Sequence, residues 1–231
     1  MRTWIPDELA YAGRENRDPA HAARYDQKMD AEAKRELAEL LPLGIGSDST
    51  VVDLGAGTGQ FAMEAASAVK RVIAVDVSEV MLGRLRAKLE DSGVANVACV
   101  RAGFLTYEHT GEPADLVYSR FALHHLPDFW QAIALDRVAG MLRPDGIFRL
   151  WDAVYSFDPS EATEALEAWM SNAGADIEGQ WLRFEFEDHI RDENSTFTWL
   201  LEPMLEKAGL KIQSAEYSED RVFARYVCVK A

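Results

Sequence analysis

The chain is poor in cysteine: 231 residues contain only Cys99 and Cys228, each inside a strand-like run of valine and alanine. Two such thiols exclude a disulfide scaffold and suit a reducing, cytoplasmic setting. No apolar run approaches the 18 residues of a membrane span. The first residues, MRTWIPDELAYAGRENRDP, interleave charges with apolar groups, so no secretory signal is expected. Basic charge is scarce as well. Against 39 Asp+Glu stand 24 Lys+Arg, a net charge of −15, and no basic run occurs. Such a field repels phosphate backbones and anionic lipid, which argues against a nucleic-acid or membrane partner. A base-flipping tetrad of the Asn/Asp-Pro-Pro-aromatic type is missing too. Metal use is not expected. His124 and His125 are adjacent, so their side chains need not converge, and Glu185, Glu187, Asp188 and His189 read as a solvated acidic stretch.

Apolar runs alternate with amphipathic ones. Thr50–Leu54, Arg71–Asp76, Asn96–Arg101, Asp115–Ser119 and Gly146–Trp151 read as buried strands, the last preceded by a Pro144-Asp145-Gly146 turn. Gln60–Val69, Glu79 to about Asp91 and Asp128 to Leu142 read as helices, the second capped by Ser78. Another helix spans about 19–41. Continuously apolar strands separated by helices predict a doubly wound α/β fold, a mostly parallel sheet covered on both faces. After an amphipathic helix at Thr196–Ala208, the strands Leu210–Tyr217 and Arg221–Val229 are joined by three residues, which makes a hairpin and an antiparallel last strand. The chain is read as one domain. Residues 1–48 form a helical cap, 49–152 a core, 153–195 an insertion shaping a pocket, and 196–231 a helix with its hairpin.

The stretch VVDLGAGTGQF, 51–61, carries the chemistry. A buried strand ends at Leu54, Gly55, Gly57 and Gly59 follow, and a helix starts near Gln60. Glycines there let a ligand approach backbone N–H groups at the carboxyl end of a strand. Counting from Gly55, the sixth position is Gln60, so this is GxGxG and not the dinucleotide GxGxxG. No Gly-Lys-Ser/Thr follows, which excludes a P-loop. Asp76 closes the next strand, where a carboxylate can accept two hydrogen bonds from a ribose diol.

DLGAGTG, an acid closing the next strand, DLVYSRFALHHLPD and LRPDGIF together resemble the class I S-adenosylmethionine (SAM)-dependent methyltransferases, in particular their ubiquinone/menaquinone-type small-molecule group. The likeness covers about residues 20–152. It implies the seven-stranded Rossmann-like methyltransferase fold, SAM as cofactor, S-adenosylhomocysteine (SAH) as product, and a small-molecule acceptor. By the same resemblance Asp53, Gly55, Ala56, Gly57 and Gly59 flank the methionine moiety, Asp76 holds the ribose, and Val77 and Met81 wall the adenine. Ser119 and Arg120 lie beside the sulfonium, and Tyr25 belongs to a Tyr-Asp pair closing over the cofactor. The family often places an acid just after the third strand for the adenine amine. Here Gly103 and Phe104 stand there, so Phe104 is expected to pack on the ring. A non-catalytic SAM-binding subunit and a protein-directed methyltransferase share these motifs and remain alternatives.

Methyl transfer to a hydroxyl, amine or enol often needs a base. His124 and His125, just past the fourth strand, and Asp152, read as the cleft-facing end of the fifth, are the candidates.

Overall fold

A computed structural model describes residues 3–13, 16, 32–174 and 182–231. Seven strands form the main sheet: β1 (Thr50–Leu54), β2 (Arg71–Asp76), β3 (Val97–Arg101), β4 (Ala114–Arg120), β5 (Leu142–Tyr155), β7 (Leu210–Tyr217) and β8 (Phe223–Lys230). A two-residue strand, β6 (Thr196–Phe197), pairs with β5 alone. The order is β3-β2-β1-β4-β5-β8-β7, and only β8 runs antiparallel to its neighbours. Helices among the described residues include α1 (Gln60–Ala66), α2 (Glu79–Ser92), α3 (Asp128–Met141), α4 (Ala162–Met170), α5 (Arg183–Asp192) and α6 (Thr198–Lys207).

Strand alternation divides the core as a doubly covered sheet requires. Val52, Leu54, Ile73 and Val75 belong to one apolar layer, Val51, Val72 and Ala74 to the other. A third cluster, including Tyr155, Phe157, Trp169 and Phe186, binds the 153–195 segment to the end of β5. Residues 32–40 are helical, and Glu36 anchors them through a two-pronged pair with Arg149 of β5, both contacts 2.9 Å and buried. A carboxylate and a guanidinium taken out of water together require this forked geometry.

Several boundaries differ from expectation. The Pro144-Asp145-Gly146 turn is an irregularity inside β5: Asp145 takes φ 58° and the pairing with β4 jumps from Ala114–Leu142 to Leu116–Ile147. β5 also runs on to Tyr155, beyond the expected end at Trp151. The late helix starts at Thr198, because Thr196 and Phe197 are drawn into pairing with Val154 and Tyr155. The helix expected over 19–41 lies partly outside the described residues.

Candidate active-site cleft

The carboxyl ends of β4, β1, β2 and β3 open, in that spatial order, onto one cleft. Arg120, Phe121, Ala122 and His125 line it at the β4 end, Gly55 and Gly57 at β1, Asp76, Val77 and Met81 at β2, and Ala102, Gly103 and Phe104 at β3. Glu8, Ala12 and Asn16 of the N-terminal segment also line it.

The glycine loop leaves β1 with Gly55 and Ala56 donating to the Val75 carbonyl, at 2.8 and 3.0 Å. Gly57 has φ 54°, and a Cβ built there would meet nothing within 4 Å: its face is open to the cleft. Gly59, at φ 81°, caps α1 and presses on Leu85, with no room for a side chain. Asp76 is the hub of the loop. One carboxylate oxygen accepts from Gly57 N at 2.8 Å, the other from Ser78 N at 2.7 Å. Burial raises its pKa, against the pull of those backbone donors. Each oxygen keeps a second lone pair for a ligand hydroxyl.

Arg120 ends β4 with 8% of its surface exposed. Nη2 donates to Gln60 Oε1 at 2.7 Å, but the buried Nη1 has no hydrogen-bond partner. Phe121 follows in the left-handed region, φ 52°, a costly conformation for an aromatic residue and one met at ligand sites.

The candidate bases divide. His125 lines the cleft. Its Nδ1 is buried without a hydrogen-bond partner, and burial followed by the charge of His124 lowers its pKa to about 4. It is a neutral imidazole at neutral pH. Asp152 does not face the cleft. It is 1% exposed, because β5 continues past it, and its carboxylate accepts from Leu123 N at 2.8 Å, His124 N at 3.3 Å and His124 Nδ1. His124 is likewise buried away from the cleft lining, with Nε2 at 2.9 Å from Glu193. Burial disfavours its imidazolium, yet Asp152 and Glu193 raise its pKa to about 10. Glu193 is partly buried, which pushes its pKa up, but its contacts with His124 and His189 win and hold its carboxyl well below the usual range. Among the described residues His124, His125 and Glu193 bring three ligand-type atoms within 4.8 Å of one another. Both nitrogens of His124 are already engaged by carboxylates, so the group is an ion-paired network bracing the loop that carries His125.

Asp53 and Ser119 lie beneath the cleft and do not line it: each is buried, with a side-chain oxygen lacking a partner. Burial raises the Asp53 carboxyl to about 7, opposed by Arg120. Ala56 and Gly59 shape the loop from behind. Tyr25 falls outside the described residues. Glu8, Asn16 and Glu193 were not expected. Each acts across a long sequence separation, and no local pattern marks them.

This fold, with a glycine loop and an acid at adjoining strand ends, defines a Rossmann-like α/β protein with a cleft at the carboxyl ends of its strands. Residues 51–146 match the family described as "Methyltransferase domain". It is 35% identical over 97 residues to a ribosomal RNA small subunit methyltransferase A of Koribacter versatilis, covering 42% of this chain and 33% of that protein. With a 27-O-demethylrifamycin SV methyltransferase of Amycolatopsis mediterranei it shares 27% over 182 residues, 78% of this chain and 60% of the relative. The chain thus spans a third to three fifths of these relatives' lengths. The magnesium protoporphyrin IX methyltransferase of Synechocystis, solved with bound SAM, shares the fold at TM-score 0.68, with 14% identity and full coverage of both chains. The cleft suits that ligand on two counts: Arg120 Nη1 is an orphaned buried cation donor, and the space over Gly57 is open.

Proposed function

We propose that this protein transfers a methyl group from SAM to a small-molecule acceptor. The observation that carries the reading is the sequence of charges along the cleft: a guanidinium with one unpartnered nitrogen, Arg120 Nη1, at the β4 end, then a carboxylate at β2, with backbone open to a ligand between them. An adenosyl amino acid presents a carboxylate and a ribose diol in the same order. Arg120 would pair with the carboxylate, and Asp76 would accept from the diol while fixing the Gly57 backbone.

Bound SAM would supply a methyl group on a sulfonium, a leaving group already activated. The chain's work is then alignment, exclusion of water and management of one proton. Alignment of the reacting groups is worth about 7–11 kcal/mol at the effective molarities of well-held pairs. His125, neutral and with Nδ1 unpartnered at the β4 end, is the residue able to take the acceptor's proton. His124 and Asp152 are positioning residues that hold its loop.

A small-molecule acceptor is supported by the likeness to the rifamycin-type enzyme. The RNA-directed relative matches a shorter stretch, and a net charge of −15 opposes a polyanionic substrate.

Titration calorimetry with SAM and SAH tests the reading directly, and absence of heat with either from folded protein would overturn it. Asp76→Ala is expected to weaken SAH binding about 10- to 100-fold, the scale of ~1.5–3 kcal/mol for hydrogen bonds to a charged group. Gly57→Ala is expected to cost about 1–2 kcal/mol of stability through its left-handed backbone and to lower SAH affinity by more than tenfold, since the new methyl enters the ligand's space. A screen of metabolites with labelled SAM identifies the acceptor.

A further inference from the structure

At the β3 end of the cleft the walls change character. Val77, Met81, Ala102, Phe104 and Leu126 give the cleft apolar lining, and Glu8 lines it beside Gly103. Glu8 begins the short helical turn Glu8–Tyr11, 95 positions before the Gly103 it covers. A Cβ on Gly103 would collide with the carboxyl group, so the two are packed without slack. The residue is 7% exposed, and one oxygen accepts from Leu105 N at 3.0 Å while the other accepts from Thr106 Oγ1 at 2.8 Å. Burial, its strongest influence, raises its pKa, against those donors and the more distant Arg137. The segment is also tied down further on: Asn16 O accepts from Ser78 Oγ at 2.5 Å, beside Asp76.

The donors of Leu105 and Thr106 do not exhaust a carboxylate, which offers about four lone-pair sites and no proton of its own. Apolar lining beside a pure acceptor fits a planar ring that bears an N–H donor on its edge. A ring with a carbonyl at that edge would set oxygen against oxygen. Resting on the adenosyl reading above, we propose that Glu8 is the base-selecting residue of this protein. Its carboxylate accepts from the exocyclic amine of adenine, and Glu8, Ala12 and Asn16 thereby belong to the cofactor site. Phe104, at the position where the resemblance would put an acid, is 5% exposed in the core. The acceptor missing from the chain after β3 arrives from the N-terminal turn.

The discriminating ligand is S-inosylhomocysteine, which carries a carbonyl in place of the exocyclic amine and a proton on the neighbouring ring nitrogen, so that its one edge donor is displaced from the amine's position. Calorimetry on wild-type protein should find SAH bound at least about 30-fold more tightly, as expected for a buried acceptor facing a donor or another acceptor. Glu8→Gln keeps the shape but offers an amide that can donate. It should weaken SAH about tenfold, leave the inosine analogue equal or tighter, and so collapse the ratio to within about threefold. Thr106→Val, which removes one brace on the carboxylate but no cleft surface, should keep the wild-type ratio. Its melting temperature and that of Glu8→Gln report folding. If Glu8→Gln weakens both ligands equally, or neither, Glu8 only braces the 103–106 loop and the proposal is wrong. If Thr106→Val collapses the ratio as well, bracing explains it and the proposal is again wrong. Failure of the adenosyl reading looks different: folded wild-type protein would then bind neither ligand.

Discussion

Replacing Arg120 by alanine is expected to weaken SAH binding about 30- to 100-fold while leaving 5′-methylthioadenosine, which lacks the amino-acid end, within about threefold. The argument begins with desolvation. Arg120 has already been stripped of water by folding, and its Nη1 has no partner to compensate. A ligand carboxylate arriving there gains a charge-assisted hydrogen bond without paying to desolvate the guanidinium. That is the upper part of the ~1.5–3 kcal/mol range for such bonds, or up to two decades of affinity at about 1.4 kcal/mol each. Competing effects are smaller. Loss of the bond to Gln60 Oε1 weakens the start of α1. Loss of the cation beside Asp53, whose carboxyl burial already raises to about 7, leaves that group to hold its proton. Binding of 5′-methylthioadenosine is the built-in control for both, since it requires the same loop and the same Asp76. A variant that loses both ligands in parallel would place Arg120 in the scaffold, and one that loses neither would remove the carboxylate assignment.

How far the sequence foretold this site follows from the range of the forces involved. β1 and β2 fall at Thr50–Leu54 and Arg71–Asp76 as the apolar runs predict, because a strand buried on both faces writes its limits into consecutive residues. The glycine loop is legible for the same reason: its positive φ values at Gly55, Gly57 and Gly59 are local demands. Asp152 was misplaced because the end of a strand depends on partners. β5 continues to Tyr155 through pairing with β8 and the two residues of β6, and the carboxylate is thereby turned into the protein. Glu8 was invisible on different grounds. A single acidic residue in a charged N-terminal stretch has no periodicity, and its meaning comes from Gly103 and Thr106, nearly a hundred positions away. His124-His125 looked like two adjacent side chains diverging. Their rings lie 4.4 Å apart because Asp152 and Glu193 hold His124 from both sides.

That network sets the second large expectation. Asp152→Asn should destabilise the fold by about 3–5 kcal/mol near pH 7, the usual cost of removing one partner from a buried ion pair. The amide can still accept from Leu123 N, but it cannot balance the His124 imidazolium, and no solvent reaches the pair. The pH dependence carries a sign that separates this from a simple packing defect. His124 has its pKa raised in the folded state, from 6.5 to about 10, so its contribution is complete below pH 6.5 and is lost as pH rises toward 10. His125 works oppositely. Its folded pKa is lowered to about 4, so as pH falls from 6.5 toward 4 the unfolded chain takes up a proton that the folded one refuses. Wild-type stability, followed by urea unfolding, should therefore slope downward between about pH 7 and 10 from His124 and downward again below 6.5 from His125. In Asp152→Asn the alkaline slope should flatten, because the imidazolium has lost its first partner, while the acidic slope persists. Equal slopes in both proteins, with any loss of stability uniform across pH, would mean that His124 is neutral in the native state and that the loop bearing His125 is held by packing alone.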